Sequence, residues 1–146
     1  MLFRSRYVTM LLFRKKGNSY ELLFFVRSGD KKLMTPGGNV SIIDVYDDKG
    51  EKYEDPCYRG LLRESREEFG HKLPKFNVKK TFVYQKVTKI YICETQEKFI
   101  KFKPNDEAIG LKWVNAKEIN KQRLVHYVKK SIDQMISMGI LKDYLK

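Results

Sequence analysis

The stretch Arg63-Glu64-Ser65-Arg66-Glu67-Glu68-Phe69-Gly70 decides the reading of this chain. At 3.6 residues per turn, Glu64, Glu67 and Glu68 stand at i, i+3 and i+4, so a helix here carries three carboxylates on one face. Their mutual repulsion has two ordinary resolutions: a solvated surface with Arg59, Arg63 and Arg66 as ion-pair partners, or a hard divalent cation. The flanks favour the cation. Upstream, Leu22 to Arg27 reads as a strand, and Lys32 to Val40 leads through Pro36-Gly37-Gly38, a tight turn whose bare backbone lets a carbonyl approach an ion or a phosphate. The helix is well bounded, with Asp55 as N-cap, Pro56 at the first helical position and Gly70 suited to a left-handed terminus. Tyr58, Leu61 or Leu62, Ser65 and Phe69 form its inward stripe, where Ser65 is expected to bond back to the preceding turn or to mark close packing on a strand.

Strand, Pro-Gly-Gly and a helix bearing Arg-Glu-x-x-Glu-Glu-x-Gly together resemble the Nudix hydrolase family, whose box reads G-x5-E-x7-R-E-U-x-E-E-x-G-U with U a bulky apolar residue. Arg63, Glu64, Glu67, Glu68 and Gly70 match its fixed part. Asp55, eight residues before Arg63, occupies the place of the first Glu, with Glu54 beside it as a substitute. Ser65 and His71 fall on positions that the family fills with apolar residues. Eleven extra residues separate Gly38 from the helix, and the insertion is expected within Ser41 to Tyr53, outside the carboxylate cluster. The resemblance implies an α/β/α sandwich with a mixed sheet. It also implies Mg2+, or Mn2+ in its place, on Glu67 and Glu68 with Glu64 and the Gly38 carbonyl, and Arg63 orienting the carboxylates. Glu107, or Asp106 beside it, precedes the strand Gly110 to Val114 and matches a family position that binds metal or acts as general base; Glu64 is the other candidate base. The reaction implied is hydrolysis of a phosphoanhydride in a nucleoside diphosphate linked to a group X: a nucleoside triphosphate, a dinucleoside polyphosphate, a sugar nucleotide, an inositol pyrophosphate or capped RNA. A Nudix-like module that holds RNA or nucleotide without turnover is the alternative.

Elsewhere the chain reads as a single domain, 1–146. Arg6 to Phe13 and Tyr20 to Arg27 are strands around a Lys15 to Ser19 turn, Phe76 to Gln85 and Thr88 to Glu94 are two more, Asn115 caps a turn, and Leu124 to Met138 is an amphipathic helix. Cys57 and Cys93 lack metal-site spacing and are expected as reduced thiols. Charges interrupt every apolar run, so no membrane segment is expected and the location implied is cytoplasmic. Thirty Lys and Arg stand against eighteen Asp and Glu, a net charge of +12 that calls for a phosphate-rich partner, a small nucleotide or an RNA 5′ end. Arg27, Lys98, Lys101 and Lys103 are the candidate substrate contacts. Lys98-Phe99-Ile100-Lys101-Phe102-Lys103 interleaves aromatics with lysines, a pattern read here as a half-buried strand rather than a base-stacking groove. Nothing in the sequence speaks to oligomeric state.

Overall fold

A computed structural model describes residues 6–70 and 72–146. His71 and residues 1–5 lie outside the described residues, so the expectation that His71 departs from the box is not taken further. The first strand, β1 (Tyr7–Lys16), alternates cleanly: Val8, Met10 and Leu12 face one core, while Leu11 and Phe13 face another. Burial on both faces is the mark of a central strand covered by helices on either side. The remaining strands, β2 (Ser19–Arg27), β3 (Leu33–Met34), β4 (Gly37–Asn39), β5 (Asn77–Tyr84), β6 (Thr88–Thr95) and β7 (Ala108–Asn115), complete one mixed sheet. β1 runs parallel to β6 and every other pairing is antiparallel.

On the Met10 face lies α2 (Pro56–Phe69), which buries Leu61, Ser65 and Phe69, with the short α1 (Ile42–Val45) beside it. Across the sheet, α3 (His126–Ser137) buries Val128, Ile132 and Met135 against Leu11, Phe13 and Phe24. The expected α/β/α sandwich is present.

The feature that positions the site is a wedge between β1 and β2. These strands pair only near their hairpin, from Phe13 with Leu22 to Lys16 with Ser19, and then separate. β3 pairs with Phe25 and Val26 on one side of the gap, while β4 pairs with Tyr7 to Thr9 on the other. Thr9 ties the insert down: its hydroxyl donates to the Pro36 carbonyl at 2.7 Å and therefore accepts from Thr35, 2.6 Å away. The Met10 amide donates to the same Pro36 oxygen at 3.0 Å. Pro36-Gly37-Gly38 is thus held by central-strand hydrogen bonds rather than left as a free turn.

Two sequence expectations change. Residues 98–103 form no strand; they belong to an irregular loop between β6 and β7, with Ile100 and Phe102 packed inward and Phe99 pointing to solvent at 91% exposure. Ile100 and Phe102 are anchored on the core singly, by side chains rather than by backbone pairing to a strand. Ser65 is buried as expected, but among the described residues its hydroxyl has no hydrogen-bond partner, so it does not bond back to the preceding turn. Cys57 and Cys93 are free thiols, and among the described residues no helix is long and apolar enough to cross a membrane.

Gly70 closes α2 with φ of 89°, its amide donating to the Arg66 and Glu67 carbonyls, and a Cβ there would stand 2.9 Å from the Lys103 Cβ. Gly70→Ala is expected to lower unfolding free energy by about 1–2 kcal/mol, the cost of a left-handed L-residue, and Gly70→Asn by less. A denaturant titration of both variants checks this.

Candidate active site

Five carboxylates meet at one cavity of about 270 Å³, lined by Glu64, Glu67 and Glu68 of α2 and by Asn105, Asp106 and Glu107 of the loop before β7. Helical spacing brings the first three together as expected. Glu107 is placed by backbone tethers. Asn105 accepts from the Glu107 and Ala108 amides at 2.8 and 3.0 Å and donates to the Glu68 carbonyl at 3.3 Å, while the Ser28 amide donates to the Glu107 carbonyl at 2.8 Å. One asparagine therefore joins the loop to the end of α2.

β4 forms the wall behind the carboxylates. The Gly37 amide donates to Glu68 Oε1 at 2.7 Å, and a Cβ on Gly38 would lie 2.6 Å from Glu64 Oε2, so only glycine admits that carboxylate against the strand. Glu68 is not on an open surface, as a bare helical wheel implies, but half-buried. Burial raises its pKa to about 8, with the Gly37 amide opposing and the charges of Glu64, Glu107 and Glu67 reinforcing the rise. Burial also raises the Glu64 pKa, against the nearby Arg63 guanidinium.

Arg63 is the hub. Its Nε and Nη2 donate to the two oxygens of Asp44, each at 3.0 Å, its Nη2 also donates to the Asn39 carbonyl at 3.0 Å, and its Nη1 donates to Glu64 Oε1 at 3.1 Å and lies 3.7 Å from Glu67. Asp44 is buried, which pushes its carboxyl pKa up, but the Arg63 fork and the Ser41 amide at 2.7 Å outweigh burial and hold it below the usual range. Arg63 is raised in turn, chiefly by its bond to Asp44.

Asp44 corrects the positional match. It lies in the segment read as an insertion and outside the acidic cavity, yet it, and not Asp55 or Glu54, is the acid that pairs with Arg63. Asp55 instead caps α2, accepting from the Tyr58 amide at 3.2 Å. Counting back from Arg63 selects Asp55; counting six forward from Gly38 lands on Asp44 and preserves G-x5-acid. The extra residues therefore follow Asp44, where Tyr46 bridges Lys52 and the Tyr53 amide returns to the Val45 carbonyl.

The other candidates are dispersed. Arg27 pairs with Asp30 and lines a neighbouring cavity of about 310 Å³ together with Asp106 and Glu107. Lys103 lies beside Gly70, while Lys98 lines a separate cavity at the far end of β1; neither borders the acidic cavity, nor does Lys101. A third recess, of about 180 Å³, went unread in the sequence: Tyr7, Thr9, Tyr84, Gln85, Thr88, Tyr127 and Ser131 line it, and the Tyr7 and Tyr127 hydroxyls are 2.7 Å apart. Its residues come from three strands and a helix, so no local pattern announces it. Burial raises the Tyr7 pKa, and Glu68 and Glu64 add to the shift, which puts this recess within electrostatic reach of the carboxylates.

Among the described residues no three acidic, histidine or cysteine groups close into a compact cation cage. The donor set nevertheless suits a hard ion that keeps waters and shares phosphate oxygens, as Mg2+ does. It is all oxygen, and the cations facing it are the one guanidinium of Arg63 and, at the rim, Arg27.

No family model and no curated protein matches the sequence. Solved structures do match. RenU, a Nudix hydrolase from M. smegmatis, is 19% identical over 92% of this chain and 85% of its own, with a TM-score of 0.66. A C. elegans Ap4A hydrolase is 12% identical over 93% and 98% of the two chains, with a TM-score of 0.60. The Nudix domain of Shewanella oneidensis NrtR, complexed with ADP ribose, is 15% identical over 93% and 90%, with a TM-score of 0.54.

Two outcomes test this geometry. Asp44→Asn should cost about 2 kcal/mol of stability, less than a fully buried pair because Arg63 is partly exposed, and should release Arg63 from its fixed pose. Chemical denaturation measures the first effect. The second is Glu68. Its raised folded pKa means the stability it contributes is complete below the unfolded value of 4.5 and is lost as pH rises through about 8. Without divalent cations, Glu68→Gln should therefore melt higher than the parent at pH 9 by roughly 3 °C or more, and the gap should close by pH 5. These variants make the fold's debt to its acid cluster measurable, and the fold itself is that of the Nudix hydrolases.

Proposed function

We propose that this chain is a divalent-cation-dependent pyrophosphohydrolase acting on a nucleoside diphosphate linked to a further group. The observation that carries the reading is the meeting of Glu64, Glu67, Glu68 and Glu107 in one cavity against the Gly37-Gly38 strand. A fold kept only for binding has no physical need of clustered acids whose burial and mutual repulsion raise the Glu68 and Glu64 pKa.

Glu67, Glu68 and Glu64, with the Gly38 carbonyl, are the residues to hold Mg2+ or Mn2+. When bound, such an ion neutralises a pyrophosphate and lowers the pKa of water. The chain's own groups do the rest. Arg63, gripped by Asp44, fixes Glu64 and reaches Glu67, which removes the need to reorganise carboxylates during reaction. Glu64 already shares an oxygen with Arg63, whereas the Glu107 side chain makes no ion pair among the described residues. Glu107 is therefore the base assigned to take the proton of the attacking water. Arg27, on the rim next to Glu107, is placed to meet a phosphate.

The three-tyrosine recess supports a nucleotide over an inorganic pyrophosphate, since phenol rings offer faces and edges to a planar base. Two structural neighbours point the same way, one being an Ap4A hydrolase and another a complex with ADP ribose.

The test is a Mg2+ and Mn2+ panel of nucleoside triphosphates, dinucleoside polyphosphates, sugar nucleotides, inositol pyrophosphates and capped RNA, followed by chromatography of the products. Glu67→Gln and Glu68→Gln should each reduce kcat on the best substrate by about a hundredfold or more. Independently of activity, millimolar Mg2+ should raise the parent's Tm and leave the double variant unmoved. No turnover across the panel, with no cation-dependent shift in Tm, removes the assignment.

A further inference from the structure

The loop of residues 96–107 has one end in the acidic cavity and the other in a different recess. At the near end are Asn105, Asp106 and Glu107. At the far end, Gln96, Glu97 and Lys98 join Arg14, Lys15 and Lys16 around a cavity of about 530 Å³. Between them the loop passes the C-terminus of α2, where the Lys103 amide donates to the Phe69 carbonyl at 3.3 Å. From Thr9, beside the Gly37 wall, β1 carries the chain roughly 20 Å to Lys15, so the two cavities lie at opposite ends of the sheet. They share a face: Arg14 continues the Val8, Met10, Leu12 side of β1, its guanidinium lying 3.9 Å over the Trp113 ring, and Trp113 packs against the same core as α2.

The chemistry along this path is consistent. Lys15, Lys16, Lys98, Lys101 and Lys103 are exposed, and among the described residues none of them is in an ion pair; Glu97 is the acid lining the far cavity. Arg14 is held in place by Glu21 at 2.9 Å and by the Lys98 carbonyl at 3.0 Å, which fixes the loop to the hairpin. Phe99 stands 91% exposed in the middle of these cations. Its neighbours Ile100 and Phe102 pack on the core, Phe102 lying 5.7 Å from Phe25, so the loop has apolar anchorage without Phe99. An aromatic face presented to water among unpaired lysines meets the two needs of a single strand, phosphate neutralisation and base stacking.

We propose that residues 96–107, with Lys15 and Lys16, form a track for a single-stranded nucleic acid whose phosphorylated end enters the acidic cavity. It rests on the pyrophosphohydrolase reading and names the substrate class: a polynucleotide end, with small nucleotides using the cavity alone.

The test uses the full chain and two variants remote from the carboxylates, Lys15→Gln/Lys16→Gln and Phe99→Ala. Binding of a 5′-triphosphorylated 12-mer, as RNA and as DNA of one sequence, is followed by fluorescence anisotropy across a salt series, with inorganic polyphosphate as competitor. The lysine pair should lower the log-log salt slope by about 1.4, the share of two phosphates on a single strand. Phe99→Ala should weaken the 12-mer about tenfold with no change in slope, and should leave polyphosphate binding alone. Hydrolysis of a small dinucleotide should keep its kcat/KM in both. Equal RNA and DNA binding assigns the track to single strands generally, and a preference assigns it to the favoured sugar. An unchanged slope in the lysine variant, a 12-mer affinity unmoved by Phe99→Ala, or polyphosphate that binds as well as the 12-mer overturns the track. Small-molecule hydrolysis that persists in that case leaves the catalytic reading standing. A parent that binds the 12-mer with the stated slope but hydrolyses nothing overturns the catalytic reading and keeps the track.

Discussion

Arg63 is the constraint on which the site depends. One planar guanidinium joins three pieces of chain by hydrogen bonds: Asp44 from α1, the Asn39 carbonyl at the end of β4, and Glu64 on α2. Lysine lacks the fork needed to hold both Asp44 oxygens and the strand at once. Because Asp44 is buried, the bond directs the guanidinium rather than merely neutralising it, and the remaining nitrogen is left to face Glu64 and Glu67. The carboxylate arrangement is therefore set by an acid that is not itself in the cavity. A capping box on α1, in which the Ser41 amide meets the Asp44 carboxylate, holds that acid in turn.

Much of this was legible from residue order because it is local. The α2 boundaries, its inward stripe and the common face of Glu64, Glu67 and Glu68 follow from helical geometry and capping, and the structure returns Asp55, Pro56 and Gly70 in those roles. Strand pairs joined by short turns were equally readable. What failed was long-range or depended on register. Asp55, with Glu54 beside it, was matched to the box's first acid because spacing was counted from the helix, while the acid that pairs with Arg63, Asp44, lies at the box spacing from the strand. Residues 98–103 alternate like a strand, yet they pair with no strand of the sheet. The tyrosine recess collects residues from β1, the β5–β6 hairpin and α3, and such a gathering has no one-dimensional signature.

Charge is distributed unevenly for a reason. The chain is strongly basic, yet the cavity between α2 and the loop before β7 is lined by acids, so a polyanion is attracted by the whole and repelled at that cavity. Under the proposed function, a cation on Glu64, Glu67 and Glu68 would reverse that last repulsion. Attraction and admission are thereby controlled by different groups.

The parallel pairing of β1 with β6 has a consequence for how the molecule is made. Tyr7 to Arg14 lie beside Thr88 to Thr95, roughly eighty residues apart in sequence, so closing the sheet costs loop entropy before the contact repays it. During synthesis β1 precedes β6 and α3, so its β6 edge stays unpaired until β6 is made and its Leu11 and Phe13 face stays uncovered until α3 follows. The β1–β2 hairpin and α2 can form early from local contacts, but the loop that brings Glu107 to α2 comes later still. The acidic cavity is accordingly among the last parts of the chain to assemble, after most of the apolar surface that must balance its repulsion is already in place.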